Sequence, residues 1–240
     1  MKIDTEKVIE ERENYYLKAL EWYSEYGIIS KSEYSSINTC FNNYIECHEN
    51  SMKFTKNLRC KRRSCPICDE IDRSAKYFEI MKKIENFKNR YLIFILTING
   101  KNVEIDDKSR LQNELNVVRT NFNKLVKSPF LKKTVKGYLR VTEIAYNPER
   151  NSFLPHLHIL LFTIKGIYKH FKMKELKEMI QAKWNILNGF KTNVRLEKLG
   201  TEEKVQKTVS YLTHSKKKRL KNFFDNDENK TILSAYLNII

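Results

Sequence analysis

Apolar positions along the chain follow two periods, and the switches between them mark its elements. Tyr91-Leu92-Ile93-Phe94-Ile95-Leu96-Thr97-Ile98-Asn99 is almost continuously apolar, which predicts a central strand buried on both faces. Gly137 to Tyr146 predicts a second strand, and Pro155 to Phe162 a third. The stretch between these two, Asn147-Pro148-Glu149-Arg150-Asn151, is made of turn residues, so a short antiparallel hairpin is expected. Thr192 to Leu199 completes a set of four strands. Helical spacing governs the rest. It covers residues 5–25 (Val8, Ile9, Tyr16, Leu17, Leu20), 70–88 (Ile71, Phe78, Ile80, Ile84) and 107–127 (Leu111, Leu115, Val118, Phe122, Leu125). Ser128-Pro129 ends the third of these. Two more helices are expected, one over 172–189 with Leu176, Ile180 and Trp184 inward, and one over 201–215. Thr201 is a suitable N-cap for the last, followed by Glu202 and Glu203 in its first turn. The segment 231–240 is apolar again and reads as a terminal helix or strand.

From residue 91 onward the order is strand, helix, strand, strand, helix, strand. That is a split βαβ layout, as in ferredoxin-like and RNA-recognition-motif folds. It predicts an α+β protein with a central antiparallel sheet and helices on one face, preceded by a helical and Cys-rich segment. Three regions are expected: a helical, Cys-rich, zinc-binding part over 1–88, the sheet domain over 89–218, and a C-terminal extension over 219–240.

The third strand carries the first chemical signal. Side chains alternate across a strand, so His156 and His158 share one sheet face. Folding the hairpin about residues 150 and 151 brings Glu143 opposite His158. Two imidazoles and a carboxylate with open positions suit a catalytic divalent ion. The competing reading is a pair of satisfied, half-buried histidines and a carboxylate that pairs with a surface cation.

The second signal lies upstream. All five cysteines, Cys40, Cys47, Cys60, Cys65 and Cys68, fall within 29 residues, and His48 adjoins Cys47. Cys65-Pro66-Ile67-Cys68 has the spacing of a zinc knuckle. Cys60 with Cys47 or His48 is the preferred completion of a tetrahedral Zn²⁺ shell, and Cys40 is a further candidate. No thioredoxin-like βαβ pattern surrounds the Cys-x-x-Cys pair, which weakens a redox reading. Such a zinc would be architectural and would leave Lys61, Arg62 and Arg63 free to face phosphate.

Charge then narrows the partner. The chain has 240 residues, with 45 Lys and Arg against 29 Asp and Glu, a net charge of +16. That field favours a polyanion, and thirteen Tyr and thirteen Phe supply rings on which unpaired bases stack. A run of about 18 apolar residues is absent, as is an apolar N-terminal signal region, so a cytoplasmic protein without a membrane partner is expected.

On the helix over 201–215, Lys204, Lys207, Tyr211 and His214 recur at steps of three or four, with Lys216 close behind. Alone, this reads as a surface tyrosine in a solvated basic stripe. Beside a divalent ion it reads as a nucleophile for phosphodiester transfer. Tyr211 Oη would attack phosphorus in line, leaving a 3′-hydroxyl and a 5′-phosphotyrosine link. A phenol has a pKa of about 10, so neighbouring cations or the metal must favour its ionised form.

Four segments, in order, resemble the rolling-circle replication initiators of small bacterial plasmids, in the branch of the His-hydrophobic-His (HUH) endonucleases with a Cys-rich N-terminal part. They are Cys60-Lys-Arg-Arg-Ser-Cys65-Pro-Ile-Cys68; Phe94-Ile-Leu-Thr97; Gly137-Tyr-Leu-Arg140-Val-Thr-Glu143 followed by Pro155-His-Leu-His158; and Val209-Ser-Tyr211-Leu-Thr-His-Ser-Lys216. The resemblance spans roughly residues 40–218. It implies that Tyr211 nicks a plasmid origin presented as a single strand or hairpin, and that the freed 3′ end primes synthesis by host polymerase, with a host helicase as a further partner. It also implies His156, His158 and Glu143 as ligands of Mn²⁺ or Mg²⁺. The chain departs from the family pattern at Lys207, where a Glu that activates water is common, at Ser210, where a Lys is usual, and at His214, where a Lys is expected. Rival readings are an HUH transposase or relaxase, and a zinc-stabilised DNA-binding protein without catalysis. The number of subunits is not fixed by the pattern.

Overall fold

The computed structural model of the chain describes Ser24 and residues 30–213, apart from 41–43, 50–51, 58, 63–64, 105–106 and 148. The expected helix over 5–25 (Ser24 apart), the basic run after Thr213 and the apolar segment 231–240 lie outside the described residues. Two units emerge, one among the described residues up to Phe78 and one spanning Glu79–Leu212.

In the first unit, helix α1 (Lys31–Asn38) starts at Ser30, whose hydroxyl accepts the Glu33 N–H at 3.1 Å. Strands β1 (Tyr44–Glu49) and β2 (Met52–Asn57) pair antiparallel, with Glu49 opposite Met52. This hairpin is absent from the sequence reading. Its strands are short and polar-rich, and pairing rather than intrinsic preference makes such strands. Helix α2 (Pro66–Lys88), whose residues from Glu79 on belong to the second unit, opens with its proline at the first helical position, where a missing N–H costs nothing.

The second unit is the expected split βαβ sheet. Its elements are β3 (Tyr91–Asn99), β4 (Val103–Glu104), α3 (Lys108–Val126), α4 (Pro129–Thr134), β5 (Val135–Asn147), β6 (Ser152–Ile164), a 3-10 turn (Lys165–Lys169), α5 (Met173–Asn188), β7 (Val194–Lys198) and α6 (Glu202–Thr213). β3 pairs with β6 on one side and β7 on the other, and β5 pairs with β6, all antiparallel. The spatial order is therefore β7-β3-β6-β5, and short β4 continues the β3 edge beside Ser152 and Phe153 of β6.

Cross-strand partners share a face, so the register sorts the sheet into two surfaces. Phe94, Leu96 and Ile98 of β3 oppose Leu161, Ile159 and Leu157 of β6. All six are buried in the core, with Val118, Phe122 and Leu125 of α3 and Leu176, Ile180 and Trp184 of α5. Trp184 is fully buried and donates its indole N–H to the Asn99 carbonyl at 3.0 Å, which satisfies its one polar group. The other surface carries Thr97, His156, His158 and Glu143.

The β5–β6 register corrects the sequence reading. Asn147 pairs with Ser152, so Glu143 lies opposite His156 and Val141 opposite His158. The hairpin folds about residues 149 and 150, one residue earlier than expected, where Asn147 Oδ1 accepts the Arg150 N–H at 3.2 Å and Asn151 takes a left-handed backbone at φ 45°. A two-residue shift keeps the carboxylate on the same face, whereas a one-residue shift would have removed it.

Gly100 follows β3 and donates its N–H to the Pro155 carbonyl at 2.8 Å. A Cβ there would stand 2.5 Å from Val118 Cγ2 and 3.3 Å from that carbonyl. Gly100→Ala is therefore expected to lower stability by about 1–3 kcal/mol, as overpacking does, and urea unfolding measures it. An unchanged midpoint would mean that Val118 yields freely. None of the described helices is long and apolar enough to cross a membrane.

Candidate active site

Glu143 is 6% exposed, and its Oε2 is the hub of the site. His158 Nε2 lies 3.0 Å from it, His156 Nε2 3.3 Å, and the Tyr211 hydroxyl donates to it at 3.3 Å. The far side of each imidazole is also held. His156 Nδ1 is 3.2 Å from the Leu154 carbonyl, and His158 Nδ1 is 3.0 Å from Thr97 Oγ1.

These outer contacts decide what the inner nitrogens offer. A carbonyl only accepts, so the proton of His156 sits on Nδ1. In the neutral ring Nε2 then presents a lone pair to a carboxylate oxygen 3.3 Å away. Two acceptors facing one another need a proton or a cation between them. Anchoring of the distal ring N–H is what fixes the orientation of a metal-binding histidine. The spacing agrees with a cation as well. Adjacent ligands of an octahedral ion with bonds of about 2.1 Å are about 3.0 Å apart. Two imidazoles and one carboxylate on one side of such an ion leave its remaining positions open. The donor set therefore fits a divalent cation.

Tyr211 comes from α6. Thr201 Oγ1 accepts the Lys204 N–H at 3.3 Å at the start of this helix, and Val205, Val209 and Leu212 bury its apolar side. The Tyr211 ring stands edge-on to His158, with centroids 5.4 Å apart. Its hydroxyl points inward to Glu143, yet 43% of the residue remains exposed.

The cations expected around Tyr211 are arranged differently. Lys207 pairs with Glu203 at 2.6 Å and Lys204 with Glu197 at 3.6 Å. The partners described for the Tyr211 side chain are Glu143 and His158. Both lysine pairs are exposed, and exposed pairs yield readily to a competing phosphate. His214, Lys216 and Arg63 lie outside the described residues.

The first unit holds a second cluster. The thiols of Cys40, Cys60, Cys65 and Cys68 lie within 4.8 Å of one another, and none is in a disulfide. Cys68 Sγ is 3.6 Å from both Cys40 Sγ and Cys60 Sγ. The edge of a tetrahedron with Zn–S bonds of about 2.3 Å is about 3.8 Å, so this set fits a structural zinc. The fourth thiol is that of Cys40, which the sequence reading ranked behind Cys47 and His48. The side chains of those two lie outside the described residues.

Backbone donors reach the sulfurs, as in metal knuckles. Lys61 N–H points to Cys68 Sγ at 3.2 Å, made possible by a left-handed Lys61 at φ 56°, and Cys60 N–H points to Cys40 Sγ at 3.4 Å. Burial pushes the Cys40 thiol up to about 11 and raises that of Cys65 well above its ordinary value. Burial also acts on Cys68, but hydrogen bonds from Arg59, Cys40, Cys60 and the Lys61 N–H outweigh it and lower this thiol. Lys61 and Arg62 are exposed beside the cluster.

Three supporting groups had no role in the sequence reading. The Leu154 carbonyl and the Arg59 guanidinium, which also pairs with Asp72 at 2.6 Å, carry no sequence signal. Thr97 does: it is the one aliphatic hydroxyl in the apolar run of β3.

A family model described as "Replication protein" matches residues 51–217. Among curated proteins, the chain is 27% identical over 151 residues to "Protein rep" of Staphylococcus aureus, covering 61% of this chain and 65% of that protein. It is 32% identical over 139 residues to "Protein rep" of Lactiplantibacillus plantarum, covering 55% of this chain and 41% of the relative. It is 29% identical over 131 residues to "Protein rep" of Streptococcus pneumoniae, covering 52% and 39%. The chain thus spans less than two thirds of the length of these relatives. No solved structure matches it.

Proposed function

The chain belongs to the replication protein family, and on that premise we propose that it initiates rolling-circle replication of a plasmid by nicking and rejoining one DNA strand. The observation that carries this reading is the sharing of one carboxylate oxygen, Glu143 Oε2, by two imidazoles and the Tyr211 hydroxyl.

In this reading Glu143, His156 and His158 hold Mn²⁺ or Mg²⁺, which when bound polarises the scissile phosphate and offsets charge that grows in the transition state. Tyr211 supplies the nucleophile. Its hydroxyl donates to Glu143 Oε2, so the carboxylate orients the phenol and stands where it can take the proton as the Oη–P bond forms. The Oη–P bond forms as the P–O3′ bond breaks, and the departing 3′-oxygen takes up a proton. The product is a free 3′-hydroxyl, which host polymerase extends, and a 5′-phosphotyrosine. The ester retains the free energy of the broken linkage, so a later 3′-hydroxyl reclaims the phosphate and seals the strand. Thr97 and the Leu154 carbonyl hold the two rings in the rotation that aims Nε2 at the shared centre.

Cys40, Cys60, Cys65 and Cys68 hold a structural Zn²⁺. Lys61, Arg62, Lys204 and Lys207, with Arg63, His214 and Lys216 beyond the described residues, contribute phosphate contacts at the origin. The protein acts in the cytoplasm.

Single-stranded oligonucleotides tiling the plasmid origin, incubated with Mn²⁺, test the site. His156→Ala is expected to reduce cleavage by on the order of 10²-fold or more while shifting DNA affinity less than about threefold. Equal loss of both would make the imidazole structural and return the protein to the class of DNA binders. Affinity is expected to fall steeply with salt, with a log–log slope near −4 for about six phosphate contacts on a single strand. A flat dependence contradicts the role given to the net charge.

A further inference from the structure

From Leu115 to Thr142 the chain carries seven Lys or Arg and not one Asp or Glu. Among the described residues none of the seven belongs to an ion pair. The stretch comprises the second half of α3, α4 and the first two thirds of β5, and its packing draws the charges together. Arg119 and Asn123 lie four apart on α3, and Lys127, its C-cap, lies four further on, which continues one ridge. Arg140 of β5 reaches that ridge, with Nη1 3.4 Å from both the Arg119 carbonyl and Asn123 Oδ1, and Arg119 Nε is 3.4 Å from Thr142 Oγ1.

An aromatic sits among these cations. Tyr138 is 43% exposed and stands edge-on to buried Phe122 at 5.0 Å, while the Arg140 guanidinium lies over the same Phe122 ring at 5.7 Å. The register slips between Val135 and Gly137, so Lys136 is bulged out of the ladder and exposed beside Tyr138.

The position of this surface relative to Glu143 is fixed by the sheet. Tyr138 and Arg140 oppose Leu161 and Ile159, so they belong to the helix-bearing face, whereas Glu143 belongs to the other. Along β5, Arg140 is about 10 Å and Tyr138 about 17 Å from Glu143 at roughly 3.3 Å per residue. Among the described residues β5 pairs with β6 alone, so its outer edge is where the two faces meet.

We propose that the α3–β5 surface is a second nucleic-acid site, which takes the single-stranded DNA flanking the nick, with Lys127 and Lys136 on phosphates and a base stacked on Tyr138. Exposed rings set among unpaired cations suit unpaired bases, because stacking needs a π-face that a closed duplex keeps inside. The proposal rests on the DNA-binding part of the reading above and not on the nicking step.

The test uses the full chain carrying Tyr211→Phe, without divalent ions, so that nothing is cut and binding alone is read. The probes are oligothymidylates of about 8 and about 20 nucleotides, bracketing the roughly 4–16 that one single-strand surface covers, and a mixed-sequence duplex of about 20 base pairs. Tyr138→Ala and, separately, Lys127→Ala with Lys136→Ala are expected to weaken binding of the longer oligothymidylate about tenfold and of the shorter less than twofold. The lysine pair should also make the salt slope shallower by about 1.4, at roughly 0.7 per phosphate contact. Three results overturn the proposal: no loss on the longer strand, equal loss on both strands, or a duplex that responds to the lysine pair while no probe responds to Tyr138→Ala. Unchanged thermal unfolding of the variants removes misfolding as a cause. A failed adduct assay on the chain with Tyr211 intact would strike the nicking step alone and leave this binding result standing.

Discussion

Tyr211→Phe is expected to abolish covalent adduct formation and to reduce strand cleavage by on the order of 10³-fold or more, the scale seen when a nucleophile is removed from a preorganised site. The substitution takes away one oxygen. The ring remains against His158, the helix keeps its apolar anchors Val205, Val209 and Leu212, and the carboxylate keeps both imidazoles. Fold and metal affinity should therefore persist, and DNA affinity should change less than about twofold, because the phosphate contacts lie elsewhere. A gel-shift and a cleavage assay on one preparation give both numbers. Retention of the adduct by Tyr211→Phe would identify another nucleophile.

The second large effect concerns the thiols. Cys40→Ser is expected to weaken zinc binding by more than the 10- to 100-fold that loss of a mere supporting group costs, and to unfold the region around the cluster. Apparent zinc affinities at such sites, about 10–16 kcal/mol at pH 7, are folding free energy. Cys47→Ser should retain one zinc per chain. Metal content by mass spectrometry, with circular dichroism, measures both variants. The opposite pattern, zinc lost with Cys47 and kept without Cys40, would overturn the cluster drawn here. Acid should release the metal as well. Burial raises the Cys40 and Cys65 thiols, so without the ion they hold their protons, and each must be displaced when zinc binds. Affinity then falls as pH falls.

Much of this is legible in the sequence. The near-continuous apolar run of β3 marked the centre of the sheet, and the alternation around His156 and His158 set both rings on one face. What failed was fine detail that depends on tertiary context. The turn after β5 closes through Asn147 and Asn151, so the pairing moved by two, and only the period of two saved the triad. Cys40, ranked behind Cys47 and His48 in the sequence, follows α1, donates its N–H to the Ile37 carbonyl and has its thiol with those of Cys60, Cys65 and Cys68. The spacing of the α6 lysines suggests company for Tyr211. The spacing of Glu203 and Lys207, four apart, already pointed to a pair along the helix. The carboxylate that in fact meets the phenol is 68 residues away, a contact that helical periodicity alone does not supply.

The central claim is that the phenol of Tyr211 becomes esterified to DNA at the Glu143-His156-His158 centre. Its most direct measurement is peptide mapping by mass spectrometry of the SDS-resistant product formed from origin DNA and Mn²⁺. The expected result is a 5′-phosphonucleotide on the peptide containing Tyr211, formed only with the divalent ion. A nucleotide on any other side chain, or cleavage that yields free 5′-phosphate with no protein-linked product at any time, would contradict it.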